Sequence, residues 1–329
     1  MPTSLVTGGA GFIGSHVAEE LLAKGHRVII VDDLSGGSLK NAPKDAAFVE
    51  GSILDEAFLS SIFDEYAIDY IYHLAAYAAE GLSHFIKKFN YQNNLIGSVN
   101  LINEAVKHEI KCFVFTSSIA VYGSQPTPMT EKMIPQPEDP YGIAKYAVEQ
   151  ELVVSKEMFG LDYVIFRPHN VYGERQNISD PYRNVIGIFM NQLMNGESLS
   201  IFGDGHQTRA FTYIKDIAPI LARCVDKKEM YGQVFNIGAD QEISVRNLAK
   251  MVMHAMKTES TIDFLEARTE VLHAFSSHQK LIDYYGKIPS THLNIGLEKM
   301  AKWAQSVSHE PTKKFDQIEI TKNLPSFWK

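Results

Sequence analysis

The sequence predicts an α/β protein built on a doubly wound parallel sheet. Short apolar segments alternate with helix-like segments through the first half of the chain, a pattern typical of parallel strands joined by crossover helices. Runs such as Tyr70–Leu74 and Cys112–Phe115 are largely apolar, as expected for strands covered on both faces. The predicted strands are 3–7, 27–32, 46–49, 69–73, 112–117 and 162–167, and the predicted helices are 14–24, 55–65, 91–108 and 142–159.

A glycine-rich segment directly follows the first predicted strand. Gly8, Gly11 and Gly14 have the spacing of a dinucleotide-binding turn, in which glycines allow a tight turn, close approach of the backbone to a pyrophosphate and close helix–strand packing. Asp32 follows the second strand, where a carboxylate would accept hydrogen bonds from an adenosine ribose. Because this carboxylate would repel a 2′-phosphate, the pattern favours NAD over NADP. The alternative is a glycine turn in an unrelated α/β domain.

The second half of the chain has a looser pattern. Residues 173–182 are polar and rich in turn formers. We expect a helix over 185–195, a strand over 233–238, and a helix that Ser244 caps and that runs through Met256. Since no repeat or low-complexity linker separates the two regions, the second is expected to fold onto the first.

The composition excludes several classes of function. The 329 residues are 45% apolar, enough for one large core or two joined cores. The net charge is −8 without a run of like charge, so no nucleic-acid partner is expected. No apolar stretch of about eighteen residues and no signal peptide are present, so we expect no membrane association and a cytoplasmic location. Cys112 and Cys224 lie in apolar surroundings, which favours buried thiols, and no spacing suits a metal.

Tyr141 and Lys145 are the first candidates for chemistry. Their spacing of four residues places a phenol and an ammonium on one face of a predicted helix. A nearby ammonium and an oxidised nicotinamide would lower the pKa of the phenol, so that the tyrosine could act as a base. The same spacing is common on helix surfaces, but here it follows a nucleotide-binding pattern and the strand that ends at Thr116–Ser118.

At these residues the chain resembles the extended short-chain dehydrogenase/reductase family, and within it the nucleotide-sugar epimerases and dehydratases such as UDP-hexose 4-epimerases. The resemblance extends along nearly the whole chain. The matching segments are Thr7–Gly14, His73–Ala76, Asn94–Ser98, Ser118–Gly123, Tyr141–Lys145, Arg167–Gly173 and Phe202–Arg209.

The resemblance implies an NAD-binding Rossmann domain and a smaller α/β substrate-binding domain. It also implies a homodimer in which the helices around 94–108 and 146–158 pair with their copies. The Rossmann domain would comprise residues 1–168 with returning segments at about 211–239 and 291–306, the nucleotide-sugar domain about 169–210 and 240–290, and the C-terminal tail 307–329.

The resemblance also implies roles for individual residues. Tyr141 would be the catalytic base, Lys145 would lower its pKa and bind the nicotinamide ribose, and Ser118 would hydrogen-bond the reacting sugar hydroxyl. Residues that match diphosphate-binding positions are Asn170, Arg209 and Arg268, although the two arginines could also be surface charges. The expected cofactor-binding residues are Gly8, Gly11, Phe12, Ile13, Gly14, Asp32, Leu34, Ser35, Ser52, Ile53, Leu74, Ala75, Ala76, Asn94, Ser117, Tyr141, Lys145 and Pro168.

The residues that follow Ser118 favour one reaction within the family. The family's 4,6-dehydratases and decarboxylases carry acids at the positions of Ile119 and Ala120, whereas neither side chain here can move a proton. The sequence therefore predicts 4-epimerisation of a UDP-sugar through a transient 4-keto intermediate. At Ala274 the stricter UDP-glucose enzymes have a tyrosine, so a small side chain predicts that UDP-N-acetylglucosamine is accepted together with UDP-glucose.

Two departures from the family pattern leave alternatives open. Ser52 stands where relatives have an adenine-contacting aspartate, and the segment Tyr77–Phe89 does not resemble the usual loop beside the sugar. A UDP-glucuronate 4-epimerase and a dehydratase that uses Glu80 as its acid are therefore alternatives. A catalytically silent NAD-binding regulator is a third, which the presence of both Tyr141 and Lys145 disfavours.

Overall fold

The computed structural model describes residues 1–268, 270–307 and 315–328. Its strands, in chain order, are β1 (Thr3–Thr7), β2 (Arg27–Asp32), β3 (Ala47–Glu50), β4 (Tyr70–His73), β5 (Cys112–Thr116), β6 (Tyr163–Pro168), β7 (Val171–Tyr172), β8 (Leu199–Phe202), β9 (Thr208–Ala210), β10 (Thr212–Tyr213), β11 (Gln233–Ile237), β12 (Glu242–Ser244), β13 (Ile262–Leu265) and β14 (His273–Ala274). The predicted strands of the first half are all confirmed, with bounds that differ by one residue at most.

The α-helices alternate with these strands. They are α1 (Phe12–Ala23), α2 (Glu56–Glu65), α3 (Glu80–Ser83), α4 (Lys87–Tyr91), α5 (Gly97–Lys107), α6 (Pro140–Phe159), α7 (Val185–Met194), α8 (Ile214–Arg223), α9 (Val245–Met256), α10 (Gln279–Tyr285) and α11 (Leu293–Ser306). The predicted helix 91–108 is interrupted: a π-helical turn, Gln92–Ile96, joins α4 to α5.

The central sheet has the order β11-β6-β5-β4-β1-β2-β3, and all neighbouring strands are parallel. The strand order reverses between β1 and β4, which is the arrangement of a doubly wound Rossmann sheet. The predicted fold class is confirmed. In such a sheet ligands bind beyond the carboxyl ends of the strands at the point of reversal.

Alternate residues of the strands enter two cores, one on each face of the sheet. Leu5 and Phe113 belong to one apolar cluster, and their neighbours Val6 and Val114 belong to the other. All four are buried almost completely. Burial on both faces explains why these strands are continuous apolar runs rather than alternating ones.

Among the described residues, the second half adds two two-stranded sheets, β10-β7 and β13-β8, and one three-stranded sheet, β12-β9-β14. It returns one strand, β11, to the main sheet. The predicted helix over 185–195 and strand over 233–238 are confirmed as α7 and β11. Ser244 caps α9, since its hydroxyl accepts a hydrogen bond from Asn247 N at 3.3 Å. The short strands β8, β9, β12, β13 and β14 were not predicted, because each has four residues at most and pairs with a strand distant in sequence.

The described part of the C-terminal tail packs against both halves of the protein. Leu324 and Trp328 share an apolar cluster with Leu82 and Ile86, from the segment that departs from the family pattern, and with Tyr182. Residues 308–314 and 329 of the predicted tail lie outside the described residues. The proposed division into two domains stays a prediction.

None of the helices in residues 1–268, 270–307 and 315–328 combines the length and the apolar character needed to cross a bilayer. Over the same residues, no cluster of acidic, histidine and cysteine side chains could hold a metal ion. Cys112 and Cys224 are buried free thiols, as predicted.

Candidate functional site

A single cleft lies beyond the carboxyl ends of β1, β4, β5 and β6. Most of the residues expected to bind the cofactor line it, together with the expected catalytic residues. The predicted residues that it brings together are Gly8, Gly11, Phe12, Ile13, Gly14, Asp32, Ser35, Ile53, Leu74, Ala75, Ala76, Ser117, Ser118, Tyr141, Lys145, Pro168 and Asn170.

The glycine loop has the shape that the sequence pattern requires. Gly8 has φ of +70°, in the left-handed region that favours glycine. A Cβ at Gly14 would lie 2.1 Å from the carbonyl oxygen of Gly8, so no larger residue fits between the strand and the helix. The helix α1 begins at Phe12 with its N-terminus directed at the cleft, and its free N–H groups can bind a phosphate.

Asp32 lies at the end of β2 and lines the same cleft. Its two carboxylate oxygens accept backbone hydrogen bonds from Ala10 N at 3.0 Å and from Leu34 N at 2.9 Å. Burial nevertheless raises the pKa of this carboxyl above its usual value. Hydrogen bonds from ribose hydroxyls would stabilise the charged form, so the position suits an adenosine ribose. The glycine loop and Asp32 together fit a dinucleotide.

Three expected cofactor residues do not line the cleft. The Leu34 amide instead holds Asp32, as described above. The Ser52 hydroxyl accepts a hydrogen bond from Leu54 N at 3.3 Å. Asn94 is 1% exposed, and its amide fixes the backbone of Tyr77, accepting from Tyr77 N and donating to Tyr77 O. Their roles in cofactor binding stay predictions.

Tyr141 and Lys145 lie on the buried face of α6, which Asp139 caps by accepting a hydrogen bond from Gly142 N at 2.9 Å. The Lys145 ammonium donates to the carbonyl oxygen of Thr116 at 2.9 Å and lies 5.8 Å from the centre of the Tyr141 ring. The Ser118 side chain lowers the pKa of the Tyr141 phenol, which is the effect of a hydroxyl close to it. The three expected catalytic side chains therefore meet at one point of the cleft.

The pKa of Tyr141 is raised, not lowered, by the residues around it. Burial has the largest effect, and the negative charge of Glu80 adds to it. Burial also lowers the pKa of Lys145 to about 7. The expectation that an ammonium and an oxidised nicotinamide together bring the pKa of the phenol toward neutrality stays a prediction.

A buried network supports this corner of the cleft from behind. The Ser117 hydroxyl donates to Glu149 at 2.5 Å, and Arg167 donates to both carboxylate oxygens of Glu149. Glu149 also raises the pKa of Lys145, which partly offsets the effect of burial. The network fixes the position of the strand ends that carry Ser117 and Arg167.

The two predicted phosphate-binding arginines line a second, smaller cavity beside the first. Arg209 and Arg268 share Glu270, whose Oε2 lies 3.3 Å from the first guanidinium and 3.2 Å from the second. Arg268 also lies 4.6 Å above the Phe202 ring and 5.7 Å from that of Trp328. The C-terminal segment therefore forms part of this site, a role that no sequence signal indicates.

The remaining predicted substrate residues are placed differently. Asn170 lines the main cleft and donates through its amide to Ala210 O at 3.2 Å. Ala274 is 8% exposed and packs in an apolar cluster with Ile119 and Tyr122. It lines neither the main cleft nor the arginine-lined cavity described above, so its part in sugar selection stays a prediction.

Glu80 and Arg183 also line the main cleft, although neither was among the predicted site residues. Glu80 is exposed to the cleft, and protein surrounds its carboxyl closely enough that burial raises its pKa to about 7. Arg183 enters the cleft from the second half of the chain. The sequence indicated Glu80 only as the acid of the alternative dehydratase, within the segment Tyr77–Phe89 that departs from the family pattern, and no signal indicated Arg183.

Comparisons with known proteins agree with this geometry. The sequence model of the NAD dependent epimerase/dehydratase family matches residues 4–238 of this chain. A UDP-glucose 4-epimerase from Thermotoga maritima, solved with UDP-glucose, is 34% identical, with a TM-score of 0.88 over 92% of this chain and 98% of the other. A UDP-N-acetylglucosamine 4-epimerase from Methanobrevibacter ruminantium, solved with UDP-N-acetylmuramic acid, is 31% identical, with a TM-score of 0.85 over 93% and 98%.

A third solved structure extends the range of sugars among similar proteins. It is a UDP-glucuronic acid 4-epimerase from Bacillus cereus, in complex with UDP-glucuronic acid and NAD, 29% identical with a TM-score of 0.85 over 92% of this chain and 99% of the other. The family match covers well over half of the chain. The chain belongs to the NAD-dependent epimerase/dehydratase family, and its cofactor is NAD.

Proposed function

We propose that the protein is a 4-epimerase of a UDP-hexose and acts on UDP-N-acetylglucosamine, UDP-glucose or both. The observation that carries the proposal is the convergence of Ser118, Tyr141 and Lys145 in the cleft that contains the glycine loop. The positions after Ser118 hold Ile119 and Ala120, which cannot transfer protons. This favours inversion at C4 over the loss of water or carbon dioxide.

The chain's own residues would move one proton. When bound, NAD would supply the hydride acceptor for C4 and a positive charge that lowers the pKa of Tyr141. Tyr141 would remove the proton of the sugar's 4-hydroxyl and later return it, and Ser118, which lowers the pKa of this phenol, would stabilise the phenolate. Lys145, held by Thr116 O, would add positive charge when it is protonated.

The second cavity would hold the diphosphate of the substrate. Arg209 and Arg268 present guanidinium groups whose planar forks match phosphate oxygens. Glu270 forms an ion pair with each of them. The substrate would then extend from this cavity to Tyr141, with its hexose beside Glu80.

Glu80 bears on both alternatives to this function. When ionised, its carboxylate would repel the carboxylate of UDP-glucuronate, which favours an uncharged hexose. Because it lies in the cleft and interacts electrostatically with Tyr141, it could also act as the acid of a dehydratase. A nucleotide-sugar dehydratase is therefore the second candidate function.

We also propose that the protein is a homodimer. Large apolar side chains are exposed on the helices expected to form the interface: Ile96 at 48%, Ile143 at 42%, Val154 at 50%, Met158 at 69% and Phe159 at 65%. A contiguous exposed apolar surface is typical of a protein interface. The spacing of Ile143, Val154 and Met158 puts them on one face of α6.

The reaction can be identified from its products. The full-length protein would be incubated in deuterated water with UDP-glucose, UDP-N-acetylglucosamine, UDP-glucuronate and dTDP-glucose, followed by chromatography and mass spectrometry. A 4-epimerase gives an isomer of unchanged mass with no solvent deuterium on carbon. A product that has lost one water and carries solvent deuterium on carbon would establish the dehydratase instead.

A matched pair of variants tests the role of Tyr141. We expect Tyr141→Phe to lower kcat by about 10²- to 10⁴-fold, because it removes the proton-transferring group. Tyr146→Phe, on the same helix but outside the cleft lining, should leave kcat within about twofold of the wild type. Full turnover by Tyr141→Phe would overturn the proposed mechanism.

A further inference from the structure

Arg183 reaches the cofactor cleft from the opposite half of the molecule. Its Nε donates to Asp180 Oδ2 at 2.7 Å, and its guanidinium lies 4.7 Å above the ring of Tyr77. Its terminal nitrogens lie beside Gly36: a Cβ on that glycine would be 3.6 Å from Nη2 and 3.7 Å from Nη1. Three contacts on different segments thus define the position of this cation.

Gly36 belongs to a loop that packs against the glycine loop. A Cβ on the next residue, Gly37, would lie 2.8 Å from the carbonyl of Ala10 and 3.0 Å from Gly11 N. Ser38 N donates to the carbonyl oxygen of Ala10 at 2.9 Å. The guanidinium of Arg183 therefore lies beside the loop that packs against the backbone expected to face a pyrophosphate.

Two of the nitrogens of Arg183 are available to a ligand. Within the described residues Nε donates to Asp180 and no partner is found for Nη1 or Nη2, and the side chain lines the cleft. The side chain is 20% exposed, so a ligand can reach it. A planar pair of free N–H groups matches two oxygens of a phosphate.

We infer that Arg183 binds the pyrophosphate of NAD on the side opposite to the N-terminus of α1, and so holds the cofactor between the two halves of the protein. The inference concerns the cofactor and does not depend on which reaction the enzyme performs. An arginine at this place would slow the release of NAD, as suits a cofactor that is regenerated within each turnover.

The diphosphate of the substrate has the same chemistry and is the other possible ligand. Arg183 lines the main cleft with Gly11 and Gly14 but is absent from the lining of the second cavity, where Arg209 and Arg268 lie. Because the expected substrate residues Tyr141 and Asn170 also line the main cleft, it is the contact with Gly36, in the loop packed on the glycine loop, that favours the cofactor. The two sources can be separated by experiment.

The experiment measures how fast bound NAD exchanges. Purified full-length protein would be mixed with excess fluorescent etheno-NAD, and exchange followed for the wild type, Arg183→Gln, Arg183→Lys and Arg175→Gln. Arg175 is the matched control: it lies in the same segment but pairs with Glu19 at 2.7 Å and does not line the cleft. We expect Arg183→Gln to speed exchange by about 10- to 100-fold, Arg183→Lys less, and Arg175→Gln by less than twofold.

Competition by ADP and by adenosine separates phosphate binding from local collapse. Arg183→Gln should weaken ADP binding by about 10-fold or more and leave adenosine binding within about twofold. Equal losses for both ligands would show a structural role and overturn the inference. Unchanged NAD exchange in Arg183→Gln would also overturn the inference. If the Kd of UDP rose at the same time, the side chain would be assigned to the substrate instead.

Discussion

Glu149 and Arg167 form a bidentate ion pair directly behind the candidate active site. Arg167 Nε donates to Glu149 Oε1 at 2.9 Å, and Nη2 donates to Oε2 at 2.5 Å. The side chains are 2% and 5% exposed. Ser117 adds a third hydrogen bond to the same carboxylate. The pair therefore connects α6, which carries Tyr141 and Lys145, to the ends of β5 and β6.

Glu149→Gln should destabilise the protein by about 3–5 kcal/mol, because it leaves the buried guanidinium of Arg167 without a counter-charge. Denaturant unfolding would measure the free energy of unfolding. Glu157→Gln, which removes an exposed carboxylate from the same helix, should change it by less than about 0.5 kcal/mol. A loss below about 1 kcal/mol in Glu149→Gln would contradict the prediction. The double variant Glu149→Leu with Arg167→Met should recover most of the loss.

The sheet, the glycine loop and the Tyr141–Lys145 pair could be predicted because their signals are local. Parallel strands buried on both faces appear as apolar runs, and a capped helix such as α9 begins at a residue with a suitable side chain, Ser244. The spacing of Gly8, Gly11 and Gly14 is likewise a local requirement of one turn. Each of these features depends on residues that are neighbours in the chain.

The features that could not be predicted depend on contacts between distant segments. Trp328 reaches Arg268, and Arg183 reaches Gly36, only after the chain has folded. Ala274 illustrates the same limit, because strand β14 places its side chain in an apolar cluster with Ile119. Alignment with the family places Ala274 at a sugar-facing position, but it does not reveal how the side chain packs.

Glu80→Gln should stabilise the protein increasingly as the pH rises from about 5 to about 8. Burial raises the pKa of Glu80 from 4.5 to about 7, so between these values the folded protein retains a proton that the unfolded chain has released. Wild-type stability therefore falls as pH rises through this range, and above it the ionised carboxylate carries the full cost. Asp139 adds to the rise in pKa, whereas Arg209 and Arg268 oppose it.

Thermal unfolding would test this at the two pH values. The difference in Tm between Glu80→Gln and the wild type should be small near pH 5 and positive near pH 8. Glu197→Gln, which removes an exposed carboxylate elsewhere, should show no such trend. A difference that shrank or reversed with rising pH would show that Glu80 is ionised without cost in the folded protein.

Val154→Asp together with Met158→Asp should convert the protein from a dimer to a monomer of 36.9 kDa. Both side chains are exposed on the face of α6 that we assign to the interface, and two carboxylates there would face their copies in a desolvated contact. Light scattering after size-exclusion chromatography would give the mass. Ile134→Asp, at an equally exposed apolar residue outside the helices, should leave the dimer intact. A wild-type mass of one chain would refute the dimer itself.

Glu270→Gln should strengthen the binding of UDP by about 3- to 10-fold. Glu270 pairs with both Arg209 and Arg268, and a diphosphate must compete with its carboxylate for the same guanidinium groups. Each partly exposed pair contributes up to about 1 kcal/mol, so their loss leaves more of the positive charge for the ligand. Calorimetric titration with UDP at low and high salt would measure the Kd, and the gain in affinity should shrink at high salt because screening weakens the attraction.

Glu266→Gln removes the same charge from an exposed position of the same loop and should change the Kd by less than about twofold. Weaker binding in Glu270→Gln would mean that the carboxylate serves chiefly to orient the two arginines, and that their alignment matters more to the diphosphate than their free charge.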